Sequence, residues 1–201
     1  ENRVVLTAGS SIHRVYGGFS GSGNAEDNIV VIRGTVTGDG QPLVQGGNVN
    51  AESREAIGNK VFIETGSFVT AEVEGGSAEK TGGKAVDNVV VVSEGATVEG
   101  YINGGNAHSV AEGNTVYVFG TLQGRTYKVY GGQSGTNGTS DRNLLYIGKG
   151  GRVEGHAFAA FAPKGEASGN VLIIENATVE GNAGAVDAHV RDVEGSVYTT
   201  G

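Results

Sequence analysis

Apolar residues along this chain come in short alternating runs, and an Asn opens nearly every run. The strings NRVVLTAG, NIVVIRG, NKVFIETG, NVVVVSEG, NTVYVFG, NLLYIG and NVLIIEN begin at Asn2, Asn28, Asn59, Asn88, Asn114, Asn143 and Asn170, and Gly195 takes the same place in GSVYTTG. Positions two and four after the Asn are β-branched or Leu: Val30/Ile32, Val61/Ile63, Val90/Val92, Val116/Val118, Leu145/Ile147 and Leu172/Ile174. A period of two over a few residues, bounded by Asn and Gly, predicts a β-strand with one face turned to a core. No segment carries a sustained helical period.

The rest of each repeat keeps a fixed order. A second short strand places Val36, Val69, Val98, Leu122, Val153 and Val179 in one column. After a small residue, a third strand places Val15, Val44, Val73, Ile102, Val129 and Ala157 in another. That strand ends at a Gly pair, at 17–18, 46–47, 75–76, 104–105 and 131–132, spaced by 29, 29, 29 and 27 residues. A polar, Gly-rich loop of about ten residues closes the repeat. One such turn cannot bury its own apolar face, so turns must stack. The pattern predicts an all-β fold: one right-handed parallel β-helix domain over residues 1–201, with about seven turns of 25–31 residues. The handedness follows the general preference of parallel crossovers. Asn is expected to pair its side chain along the stack and to take the left-handed backbone of the corner. The chain starts and stops at the same point of the repeat, which predicts a polypeptide continuing beyond both ends.

Composition narrows the chemistry. The formal net charge is −8, which disfavours nucleic acid as a partner because counterion displacement needs a positive field. There is no Cys, so disulfides and thiolate metal sites are excluded. His13, His108, His156 and His189 show no metal-ligand spacing, and no cofactor is expected. Gly21, Gly23, Gly82 and Gly83 lack the following helix that a phosphate loop requires. The best acidic column is Thr37, Thr70, Glu99, Gln123, Glu154 and Glu180. Glu154 and Glu180 fall in adjacent turns and read as solvated surface carboxylates. No catalytic residue is assigned.

The strings VYGGFSGSGNAEDNIVVIRG, VYGGQSGTNGTSDRNLLYIG and INGGNAHSVAEGNTVYVFG resemble passenger repeats of bacterial autotransporter (type V secretion) adhesins. The resemblance covers essentially the whole chain. It implies a fragment of a longer passenger, secreted and displayed at the cell surface, with membrane attachment only through a C-terminal barrel outside this sequence. It further implies adhesion or aggregation, with a host or bacterial surface protein or glycan as partner, and weak self-association. The family has no single binding motif, so no residue role carries over. Parallel β-helices also include polysaccharide-processing enzymes, and a passive spacer for a distal binding domain is a third reading.

One face is unusually apolar for a solvated sheet. Positions one and three after the Asn read Ile29/Val31, Lys60/Phe62, Val89/Val91, Thr115/Tyr117, Leu144/Tyr146 and Val171/Ile173. The variable loops are expected to fold back over it; uncovered, it is a contact surface, with Phe62, Tyr117 and Tyr146 as candidate contact residues. The column before the Gly pair (Tyr16, Gln45, Glu74, Asn103, Tyr130, Phe158) is mixed and is expected to lie in solvent.

Overall fold

A computed structural model describes residues 1–187 and 192–200. The chain is a parallel β-helix without helical segments among the described residues. Strands from successive turns pair in register. The first-strand sheet runs Arg3–Leu6, Ile29–Ile32, Lys60–Ile63, Val89–Val92, Thr115–Val118 and Leu144–Ile147, then joins Glu166–Glu175 and Asp192–Thr200. A second sheet stacks seven two-residue strands from Ser11–Ile12 to Thr178–Val179. The third holds the Gly-pair strands: Arg14–Ser20, Leu43–Val49, Glu72–Ala78, Ile102–Ala107, Lys128–Ser134, His156–Phe161 and Ala183–Val186.

The apolar columns fill the bore as the alternation requires. Val30, Ile32, Val61, Ile63, Val90, Val92, Val116, Val118, Leu145, Ile147 and Leu172 are fully buried, together with Val36, Val69, Val98, Leu122 and Val153 of the second sheet. Val15, Val44, Val73, Ile102, Val129 and Ala157 close the third side. Each turn is too short to hold a core alone, so the hydrophobic stabilisation belongs to the stack.

Two expectations need correction. The loop before each Asn is not irregular: it contains a fourth strand, seen at Ala25–Glu26, Glu55–Ile57, Lys84–Val86, Val110–Glu112 and Thr139–Asp141. In the sixth turn this arm and the first strand fuse into the ten-residue strand Glu166–Glu175. Three residues before each Asn stands a small side chain, Ala25, Ala56, Ala85, Ala111, Ser140 and Ala167, and all are buried. The five Ala side chains pack against Val49, Ala78, Ala107 and Ala160 or Ala162 in a narrow side lobe. The loops therefore build a lobe of their own. The second correction concerns the corner. The left-handed residue is the one before the Asn: Asp27, Gly58, Asp87, Gly113, Arg142 and Gly169 all have φ between 52° and 65°. Asp and Gly tolerate that region better than most residues, which accounts for their prevalence there.

The Asn column separates the main bore from the side lobe. From Asn28 to Asn170, each Asn Oδ1 accepts both the backbone N–H and a side-chain N–H of the Asn one turn earlier, at 2.8–3.1 Å. From Asn59 onward the other amide hydrogen goes to a carbonyl of the small-residue column, Ala25, Ala56, Ala85, Ala111 or Ser140, at 2.7–3.0 Å. Every polar atom of these buried amides is thus satisfied, as a dry interior demands. The Gly pair lies directly against the ladder. A Cβ on Gly47 would sit inside 3.0 Å of the Asn59 amide, and one on Gly46 inside 3.0 Å of the Gly75 carbonyl. The same approach repeats at the other four pairs. The pair is Gly because the third sheet touches the Asn ladder there, leaving no room for a side chain.

Candidate functional site

Two outward faces carry features that a solvated rod does not need. The first is the outer face of the Asn-led strands. Val31, Phe62, Val91, Tyr117, Tyr146 and Ile173 form one column in strict register. Val31 is buried, and the other five are half-buried. The strip is not enclosed as loop covering would require: only Val31 is buried, and the arms before the Asn column build the side lobe instead. Tyr117 and Tyr146 come together, with ring centroids 6.0 Å apart, and Phe119 joins them at 6.3 and 5.8 Å. Gly148 leaves the space that the rings of Phe119 and Tyr146 fill. Phe62 stands apart from this cluster, two turns away across Val91. It lines a shallow hollow with Ala8, Arg33, Glu64, Thr65 and Ser93. The Tyr146 hydroxyl donates to the Glu175 carboxylate, which holds the phenol above its ordinary pKa. Phe119 escaped the sequence reading because it lies just past the end of its strand, outside the alternating column.

The second face is the outside of the Gly-pair sheet, and it overturns the expectation of a solvent-exposed column. Gln45, Glu74, Asn103, Tyr130 and Phe158 are all buried, although their side chains point away from the bore. The cause is a bend at the Gly pair. In a flat strand, residues three apart point to opposite faces. Here the Asn48 side chain donates to the Gln45 side chain at 2.6 Å, so the two converge. The sheet is concave outward, and residues on both sides of the pair wall a trough. Its volume near the second to fourth turns is about 520 Å³, with Glu72, Glu74, Glu79, Glu99, Tyr101 and Tyr127 among its lining.

Glu74 lies on the floor and is 1% exposed. Gln45 Nε2 donates to one carboxylate oxygen, and Asn106 Nδ2 donates to the other at 2.6 Å. Asn106 Nδ2 also donates to Glu79 at 2.7 Å, and Asn103 Nδ2 to Glu72 at 3.2 Å. Burial, and then the neighbouring Glu72, push the Glu74 carboxyl up to about 8, against the opposing pull of the two amide donors. Glu72 is raised as well, by burial and then by Glu79. Toward the C-terminal turns the trough becomes aromatic. Tyr130 packs between Phe158 and Phe161, at 6.1 and 5.4 Å, and donates to Asp187, which also pairs with Lys128 at 3.0 Å. Burial, followed by the Asp187 charge, raises the Tyr130 phenol strongly.

The acidic column read from the sequence takes another part. Arg152 bridges Glu154 at 3.3 Å and Glu180 at 2.6 Å, and Glu154 also accepts the Gly124 backbone N–H at 2.9 Å. These two carboxylates tie turns together. Of the column, only Thr70 and Glu99 reach the trough. His13, His108 and His156 lie apart, His156 accepting the Asn182 N–H at 2.9 Å; His189 lies outside the described residues. Among the described residues no three His, Asp or Glu side chains are placed to hold a metal ion.

No protein-family model matches this chain, and no curated protein or solved structure matches it at a significant level.

Proposed function

We propose that this β-helix is a non-catalytic, cell-surface adhesin-type module, part of a secreted autotransporter-type passenger that contacts a surface protein or glycan. The observation that supports this reading is the half-exposed strip on the first sheet, where Tyr117, Phe119 and Tyr146 form one cluster in line with Phe62 and Val91. Rings held on a stacked sheet lose little conformational freedom on binding, and they offer flat apolar surface for sugar faces or partner side chains. The sequence repeats behind the resemblance supply the adhesive context, and weak self-association through the same strip fits its modest area. The test is competition: soluble protein added to adhering or aggregating cells reduces attachment, and a Tyr117→Lys/Tyr146→Lys variant does not. Equal competition by the variant removes the strip from the mechanism.

The trough favours a second reading, a polysaccharide-processing β-helix, since a carboxyl with a raised pKa beside ionisable carboxylates suits general acid chemistry. Against it, both Glu74 oxygens are held by amides and the group is almost wholly enclosed. Glycan turnover that disappears in Glu72→Gln or Glu74→Gln decides for this second reading. The spacer reading holds if competition and turnover both fail.

A further inference from the structure

One acceptor enclosed in the trough floor has no donor. Asn103 is 2% exposed, and its Oδ1 makes no hydrogen bond, whereas its Nδ2 donates to Glu72 at 3.2 Å. Turning the amide over would set its oxygen against the Glu72 carboxylate, so charge fixes the orientation. A buried orphaned acceptor is costly, and its need is for a donor. Because the oxygen is closed off from solvent, that donor must be a neighbour in the floor. Asn103 pairs in register with Glu74 on one side and Tyr130 on the other. The one hydroxyl hydrogen of Tyr130 goes to Asp187 at 3.0 Å. Asn106 Nδ2 is taken by Glu74 and Glu79, at 2.6 and 2.7 Å. Glu74 is the neighbour that remains, and as a carboxylate it has no hydrogen to give.

The charges around Glu74 speak against the carboxylate as well. Among the described residues no ion pair involves Glu72, Glu74 or Glu79. The flanking strands present amides to it, Gln45 and Asn48 from Leu43–Val49 and Asn103 and Asn106 from Ile102–Ala107. Its own strand adds Glu72, and Glu79 follows just beyond. At the rim stand Arg14, whose Nε is turned to the Gln41 carbonyl at 3.1 Å, and Glu99, Tyr101 and Tyr127. One turn further along, Lys128 and Tyr130 are both engaged with Asp187. On the arm behind, Lys84 pairs with Glu55 at 3.1 Å. A carboxylate 1% exposed, beside two others and paired with no cation, is unfavourable in its charged form.

We infer that Glu74 is the neutral acid in the folded chain, that its O–H donates to Asn103 Oδ1, and that this proton latches the third turn to the fourth along the trough floor. A protonated carboxyl keeps acceptor capacity for the Gln45 and Asn106 amides while adding one donor. The proton therefore completes the column Gln45–Glu74–Asn103 and answers the orphaned oxygen in one step. The rise of the Glu74 carboxyl to about 8 agrees with this. When the proton leaves, Asn103 Oδ1 is stranded beside a new negative charge, Glu72 and Glu79 repel that charge, and the floor opens to water. The latch lies on a different face from the aromatic strip and does not depend on the adhesive reading.

The experiment is heteronuclear NMR of the whole chain, labelled at the glutamate carboxyl carbons and titrated from about pH 5 to about pH 10, with amide hydrogen exchange followed in parallel. The expected result is a Glu74 carboxyl resonance that keeps the position of a neutral acid at neutral pH and moves only in alkaline solution. Protection of residues 43–49, 72–78 and 102–107 falls with the same midpoint, while the second sheet keeps its protection. Asn103→Leu removes the acceptor and weakens proton binding by about tenfold, one unit in the midpoint. Glu74→Gln supplies an uncharged donor in the same place, so it retains protection of the three strands at alkaline pH, and it keeps the test decisive if Asn103→Leu fails to fold. A Glu74 resonance that titrates near the ordinary 4.5 overturns the inference. An unchanged midpoint in Asn103→Leu overturns Asn103 as the acceptor. Loss of protection spread evenly over all three sheets, or the same alkaline loss in Glu74→Gln, overturns the latch.

Discussion

The outer faces of the Asn-led sheet and the Gly-pair sheet differ in a way that their residue types do not announce. The first is apolar, with Val, Leu, Tyr and Phe, and stays half-exposed; the second carries Gln, Glu and Asn, and is buried. Curvature decides the difference. On the Gly-pair strands, close contact with the Asn ladder bends the backbone and brings side chains on either side of the pair together. Concavity buries polar groups that hydrophobicity alone would leave in water. Each such group then requires a partner, which is why the trough floor is an amide–carboxylate network.

The most severe way to break this comparison is to remove the ladder that bends the sheet. Asn88→Ala strands the Asn59 backbone and amide N–H groups and the Ala56 carbonyl, all buried. It is expected to cost about 3–5 kcal/mol in chemical denaturation. A loss below about 1 kcal/mol would show that the ladder does not hold the bend.

Glu74 gives the next largest effect. Its folded-state pKa, about 8, lies above the ordinary 4.5, so the folded chain holds a proton that the unfolded chain releases. The stability this contributes is complete below pH 4.5 and is lost progressively as pH rises through 8. Glu72, raised by burial and then by the Glu79 charge, acts in the same direction. Glu74→Gln should flatten the melting-temperature profile between pH 5 and pH 9, roughly the acid range it replaces, and gain on the order of 3 kcal/mol relative to wild type at the alkaline end. A parallel pH profile for the variant would show that Glu74 stays ionised.

Smaller effects are expected on the half-exposed face. Val91→Lys with Tyr146→Lys should change stability by about 1 kcal/mol or less while abolishing any association seen by sedimentation. A large fall in the stability of a monomer would instead mean that the strip is covered. The smallest change is predicted for Arg152→Ala, about 0.5 kcal/mol, because its pairs with Glu154 and Glu180 are substantially exposed. Thermal melts at low and high salt would check it.

Much of the coil was legible from one dimension of the chain. Alternation located the core columns, and the fixed Asn register located the ladder. The fourth strand left one mark in the sequence, a small residue three places before Asn28, Asn59, Asn88, Asn114, Asn143 and Asn170. It was hidden by the Gly and Ser around it, which read as loop. The trough was not legible. Gln45, Glu74 and Asn103 have the composition of a solvated face, and no local pattern marks the bend that encloses them.

The sequence by itself determined which residues share a column, because stacking copies a repeat along one axis and leaves register no freedom. It also located the corners, although the left-handed backbone there belongs to the residue before each Asn: Asp27, Gly58, Asp87, Gly113, Arg142 and Gly169. Only the tertiary structure decided which outward columns meet water. Exposure depends on the curvature of the coil, and that curvature is set by contacts between the Gly-pair strand and an Asn roughly ten or more residues further along each turn, a distance in space that spacing in sequence does not encode.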